Sequence, residues 1–109
     1  MSFNFQNVVG KIQEMQAKIA DVQKELENKH TTGESGGGMV VVTINGRLEV
    51  TQIKLEKSMV DQDEVEMLED LIVSAVNKAI ENAQRLAQEE MSQATSGMLP
   101  NIPGLNLQM

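Results

Sequence analysis

Apolar residues recur near the start of the chain at alternating intervals of three and four: Phe5, Val8, Ile12, Met15, Ile19, Val22 and Leu26. This is an a/d heptad series with Phe5, Ile12, Ile19 and Leu26 at a, weakened only by Gly10. It predicts a long helix within residues 3–29. Some 25 residues would span roughly 38 Å at 1.5 Å per residue. The opposite face is polar, and Glu14–Lys18 and Glu25–Lys29 are i,i+4 pairs in the favourable order. So narrow a stripe needs a second helix, from its own chain or from a second copy. The chain is short for such a helix, which favours a second copy.

After the helix the pattern changes. Thr32-Gly33-Glu34-Ser35-Gly36-Gly37-Gly38 breaks regular structure. Val40–Ile44 is strongly β-prone, and Asn45-Gly46 is the preferred pair for a two-residue type I′ hairpin. Leu48 and Val50 alternate, then Ile53 and Leu55 alternate in the opposite phase, so a bulge or a change of twist is expected at Thr51-Gln52. Residues 39–56 thus read as a hairpin, and residues 28–34 could supply a third strand. Acids crowd Asp61 to Asp70, where a helix dipole favours them, with Asp63 and Glu66 spaced as N-cap and N3. A second helix over 62–94 carries a broad face of Val65, Leu68, Leu71, Ile72, Ala75, Val76, Ala79, Ile80, Ala83, Leu86 and Ala87. Its alanines permit close approach of another element. The expected fold is α+β, in the order α-β-β-β-α, with an antiparallel sheet between long N- and C-terminal helices. One domain covers 1–94, and 95–109 is a flexible apolar tail with both prolines.

Composition removes several chemistries. With 109 residues the chain supports one small domain, and without Cys it has no disulfide, thiolate or Cys-ligated metal. The longest unbroken apolar run, Met39–Val42, is far too short for a membrane helix, and no secretory leader is visible. Gly33-Glu34-Ser35-Gly36-Gly37 matches the G-x-S-x-G hydrolase pattern literally, but a strand follows it and the single histidine, His30, lies upstream. The glycines are no P-loop, because no Gly-Lys-Ser/Thr follows. A calcium loop starting at Asp61 would need Gly at 66 and Glu at 72, where the chain has Glu66 and Ile72. His30 lacks His or Cys companions, so no metal site, cofactor or catalytic group is expected.

Charge leaves one pattern. Lys11 and Lys18 lie seven apart on one face of the first helix, as do Lys78 and Arg85 on the second. A solvated face is the ordinary reading of such spacing. The net charge of −7 argues against a polyanionic partner. However, six of the sixteen acids sit at 61–70, and residues 1–30 balance four Lys against four acids. Local potential decides where a polyanion docks.

Taken together, Thr32–Gly38, Val42-Thr43-Ile44-Asn45-Gly46 and Glu66-Met67-Leu68-Glu69-Asp70-Leu71-Ile72 resemble the YbaB/EbfC family of bacterial nucleoid-associated proteins. So do the Met- and Gln-rich first helix and Ala75-Val76-Asn77-Lys78-Ala79. The resemblance covers nearly the whole chain. It implies a tweezer-like homodimer, paired through the sheet and adjoining helices, that binds double-stranded DNA without catalysis. It also implies a cytoplasmic location at the nucleoid, with a role in nucleoid organisation or gene regulation. On this reading Ile12, Met15, Ile19, Val22, Val40, Val42 and Ile44 are the candidate dimer interface. The motifs that carry the resemblance look structural, so DNA contacts are assigned from charge placement to Lys11, Lys18, Lys78 and Arg85, with Lys24 next. The alternative is an acidic dimeric adaptor or chaperone that grips a protein partner between its helices, for which Met-rich surfaces are suited.

Overall fold

A computed structural model of the protein describes residues 5–96. The heptad segment forms α1 (Phe5–Glu27), followed by β1 (His30–Ser35), β2 (Val40–Asn45), β3 (Val50–Leu55) and α2 (Val65–Thr95). Short 3-10 turns occupy Gly36–Gly38, Lys57–Met59 and Gln62–Glu64. The architecture is α+β in the expected order, with an antiparallel sheet ordered β1-β2-β3. The expected tail, apart from Thr95 and Ser96, lies outside the described residues, as do residues 3 and 4 of the expected first helix.

The core lies where α2 crosses β1 and β2. Val40, Val42 and Ile44 alternate onto one face of β2 and are fully buried against Ala75, Ala79 and Ala83. These alanines recur every four residues, so they form one row on α2. With no larger side chain between them, helix and sheet approach closely. At Gly33 the approach is closest: a Cβ there would lie 2.3 Å from the Ala79 nitrogen and 2.4 Å from the Ala75 oxygen. That contact explains why a strand runs through Gly33 to Ser35, inside the segment that composition marks as a breaker. The break itself falls on Gly36, Gly37 and Gly38, all with positive φ.

Two local expectations are corrected. Asn45-Gly46 does not close a two-residue turn, because residues 46–49 connect the strands and Leu48 takes the positive φ, at 64°. Gly46 instead sits under the C-terminus of α1. Its N–H donates to the carbonyls of Leu26 (2.8 Å) and Lys29 (2.9 Å), and a Cβ would lie 2.6 Å from Leu26 Cδ2. Helix ends leave carbonyls without intrahelical partners, and Gly46 supplies a donor there. The Asn45 Oδ1 closes the turn by accepting from the backbone of Arg47 (2.9 Å) and Glu49 (3.1 Å). The second correction is at the start of α2. Asp63 is not the cap: Asp61 caps the 3-10 turn Gln62–Glu64, accepting from the Asp63 N–H at 3.0 Å, and Glu64, at the N-cap of α2, makes no side-chain cap bond. A 3-10 turn intervenes, so the helix begins at Val65. The bulge is where the reversed alternation puts it: Thr43 pairs with Gln52 and Ile44 with Val50, leaving Thr51 extra.

α1 and β1 run in one direction, opposite to α2. Leu26 shares a groove with Ala87 and Met91, Gly33 meets Ala79 and Ala75, and Ser35 donates to the Leu71 carbonyl. α1 therefore enters from beyond the C-terminal end of α2. The molecule measures 74 × 27 × 16 Å, whereas 31 helical residues span only about 46 Å. The N-terminal half of α1 is a projecting arm.

Candidate nucleic-acid interface

The nine Lys and Arg residues divide by what holds them. Lys29 pairs with Glu90 at 2.6 Å, and Arg47 pairs with Glu27. These two pairs tie the end of α1 to α2 and to the β2–β3 turn. Lys11, Lys18, Lys24, Lys54, Lys57 and Lys78 are exposed and, among the described residues, make no ion pair. Arg85 is exposed too, with a long contact of 3.5 Å from Nη1 to Asn82 Oδ1. Spacing singles out only Lys11, Lys18, Lys78 and Arg85. The structure separates cations already engaged from those free to meet an anion.

These free cations do not form one cluster within a chain. Lys11 and Lys18 sit on the arm, beside the apolar stripe, at the heptad position that precedes Ile12 and Ile19. Lys24 falls on the side of α1 away from that stripe, given the same heptad phase. Lys78 and Arg85 lie on α2 in the body. Between them, Asn82 Nδ2 donates to the Thr32 carbonyl at 2.8 Å, which places this stripe along the outer edge of β1. The acids at 61–70 gather at the other end of α2. Fifteen residues separate Asp70 from Arg85, or about 22 Å along a helix. The charge of α2 is thus graded along its axis, although Glu81 and Glu89 stay near the cationic stripe.

The residues of the expected dimer interface differ in how far their own chain covers them. Val40, Val42 and Ile44 are fully buried against α2. Val22 is likewise buried, at 6% exposure. The broad alanine face of α2 takes up the inner face of β2, and the last turns of α1 pack on the same helix. Of the expected set, Ile12 remains exposed at 52%, and Met15 and Ile19 are half-buried. Val50 and Ile53 on β3 are a further apolar pair that one chain leaves uncovered. They share the inner face, paired with Ile44 and Val42, but lie beyond the cover of α2 and stay exposed. Their alternation was visible, but how far α2 reaches across the sheet was not.

No helix among the described residues is long and apolar enough to cross a membrane, and among them no cluster of His, Asp or Glu is arranged to hold a metal. Comparison with known proteins gives one consistent answer. The profile of the YbaB/EbfC DNA-binding family matches residues 1–98. A nucleoid-associated protein of Clostridium acetobutylicum is 45% identical, over 94% of this chain and 89% of its own length. Another, from Caldanaerobacter subterraneus, is 46% identical, over 94% and 91%. An uncharacterized protein of Helicobacter pylori shares the fold, with a TM-score of 0.68 at 22% identity, over 91% of this chain and all of its own. Family profile, relatives and fold agree over almost the full length: the chain belongs to the YbaB/EbfC DNA-binding family.

Proposed function

We propose that the protein is a homodimeric nucleoid-associated protein that binds duplex DNA through its phosphates and performs no catalysis. The observation that carries this reading is the set of exposed cations without acid partners, Lys11 and Lys18 on the arm and Lys78 on α2, with Arg85 beside it. The relatives named as nucleoid-associated proteins support it, and support a place in the nucleoid. A second copy would pair with the uncovered apolar surface, Ile12, Met15 and Ile19 on α1 with Val50 and Ile53 on β3. Two-fold symmetry would then set two arms around a groove and double every cation. Lys24 would contribute at the outer side of each arm.

Phosphate contact positions a protein on DNA without reading sequence, so sequence preference should be broad. With a formal −7 per chain, affinity should be modest and steeply salt-dependent. Fluorescence anisotropy of a labelled duplex over a salt series tests the reading. Saturable binding with log K falling by about 0.9 per phosphate contact per decade of salt is expected. Absence of binding even at low ionic strength overturns it.

A second reading, a protein-gripping adaptor, draws on the exposed apolar residues Val60, Val65, Met67 and Val73. DNA binding should respond to reversal of Lys78 and Arg85, whereas capture of a protein should not.

A further inference from the structure

Lys11 and Lys18 lie on an arm that is anchored near its root. Among the described residues of α1, Val22 and Leu26 alone are buried. Leu26 stands fifteen residues from Lys11 and eight from Lys18, or about 22 and 12 Å along a helix. A small tilt at the root is therefore enlarged where the cations sit. The contacts at the root come from both sides. α1 ends at Glu27, and Asn28 and Lys29 carry the chain to β1. The N–H of Gly46, a buried residue, reaches the carbonyls of both Leu26 and Lys29, at 2.8 and 2.9 Å. Arg47, next in the β2–β3 turn, pairs with Glu27, and Lys29 pairs with Glu90 of α2 at 2.6 Å. Exposed ion pairs contribute little by themselves, so the packing of Gly46 under Leu26 is the firmer part of the joint.

The backbone of Gly46 does not itself require glycine, because its φ is not positive. An alanine there fits the turn and meets only α1. Its Cβ would lie 2.6 Å from Leu26 Cδ2, 2.8 Å from Leu26 Cβ and 3.0 Å from the Leu26 carbonyl oxygen. A methyl can swing aside, but the Cβ and the carbonyl belong to the helix, so the end of α1 itself must move. An open groove lined by Leu26, Leu48, Ala87 and Met91 adjoins the joint, which gives α1 room to move while the body stays folded. A shift of about 0.6 Å across the packed turn Val22–Leu26, itself about 6 Å long, tilts the arm by roughly a tenth of a radian, or about 2 Å at Lys11.

We propose that Gly46 is the positioning residue of the arm: its missing side chain sets the angle at which α1 leaves the body, and so the places where Lys11 and Lys18 meet duplex phosphates. The proposal rests on the DNA reading above and adds to it a joint that presets the arm before DNA arrives. Cations already in place lose less freedom on binding. Misplacement weighs most on Lys11, which lies farther from the joint than Lys18.

The chain has no Cys, so introduced cysteines alone carry spin labels. Gln13→Cys on the arm is paired in turn with Asn77→Cys on α2 and Gln52→Cys on β3, all exposed positions. Double electron–electron resonance, with excess unlabelled chain so that both labels share one chain, reads the distance from arm to body. With Gly46 in place each pair should give one narrow distribution that added duplex leaves unchanged. A broad distribution that narrows only with DNA overturns the preset arm, and this measurement needs no change at the joint. Gly46→Ala, checked for fold by circular dichroism, should shift at least one distance by about 2 Å. It should also weaken duplex binding roughly three- to ten-fold at fixed salt, read by anisotropy. Lys11→Gln should then cost less in the Gly46→Ala chain than in the unmodified one, a non-additivity that mere loss of stability would not show. A folded Gly46→Ala chain with distances and affinity unchanged overturns the proposal while leaving DNA binding in place. Failure of the unmodified chain to bind the duplex at low ionic strength overturns the DNA reading itself, and this role of Gly46 with it.

Discussion

The two ends of this molecule use helices in opposite ways. Where α2 crosses the sheet, small residues meet: Gly33 lies against the backbone of Ala75 and Ala79, and every residue of the alanine row is fully buried. On the arm the side chains are large, Val8, Val9 and Ile12, and all three remain exposed within one chain. Small residues let backbones touch, so the inner face of β2 is covered inside one copy, while that of β3 is not. Large residues in a narrow stripe present area and little shape, and the stripe of the arm stays uncovered within one chain. Hydrophobicity alone would rank the arm above the alanine face. Close packing reverses that order, because dispersion and burial depend on contact made.

The contrast is sharpest at Gly33. Gly33→Val would push a side chain into α2 backbone that cannot yield as a flexible side chain can. The expected outcome is loss of the native fold, or at least about 3 kcal/mol of stability, read by urea denaturation followed by circular dichroism. Next is Ile44→Ala, which empties a fully buried site and should cost about 3 kcal/mol in the same assay. Lys78→Glu with Arg85→Glu should leave the midpoint of unfolding almost unchanged. It should weaken duplex binding by roughly ten-fold or more and lower the salt slope by about 0.9 for each lost phosphate contact. Smallest in its effect on the fold of one chain is Ile12→Asp, expected to change stability by less than about 0.5 kcal/mol apart from any loss of pairing. The same variant should shift the mass measured by light scattering from dimer to monomer. If Ile12→Asp unfolds the chain instead, the arm belongs to the body and the contrast fails.

The candidate site was legible only in part. Spacing singles out Lys11, Lys18, Lys78 and Arg85, charge placement adds Lys24, and the structure leaves all five exposed. Spacing could not show that Lys29 and Arg47, equally basic, are engaged by Glu90 and Glu27. Those partners are 61 and 20 residues away along the chain, beyond the reach of any helical or strand period. Nor could it show that Asn82 donates to a carbonyl of β1 fifty residues earlier.

Element types and their order could be read from local pattern. A heptad stripe, a β-branched alternation with one phase slip, and an acid-led alanine helix each write their period into neighbouring positions, because side-chain direction repeats with backbone geometry. The family motifs were legible for the same reason, since they hold the glycines and core positions that such geometry requires. What only three-dimensional packing decided was which apolar face is used up within one chain. Val40, Val42 and Ile44 looked as free to pair with a second copy as Ile12 did. They are buried because Gly33 and the alanine row let α2 settle onto β1 and β2, while β3 and the arm fall outside its width. A strand's face is encoded in two-residue steps, but its cover comes from a helix 30 or more residues away in the chain. The distance at which that helix settles is set by the smallest side chains between them.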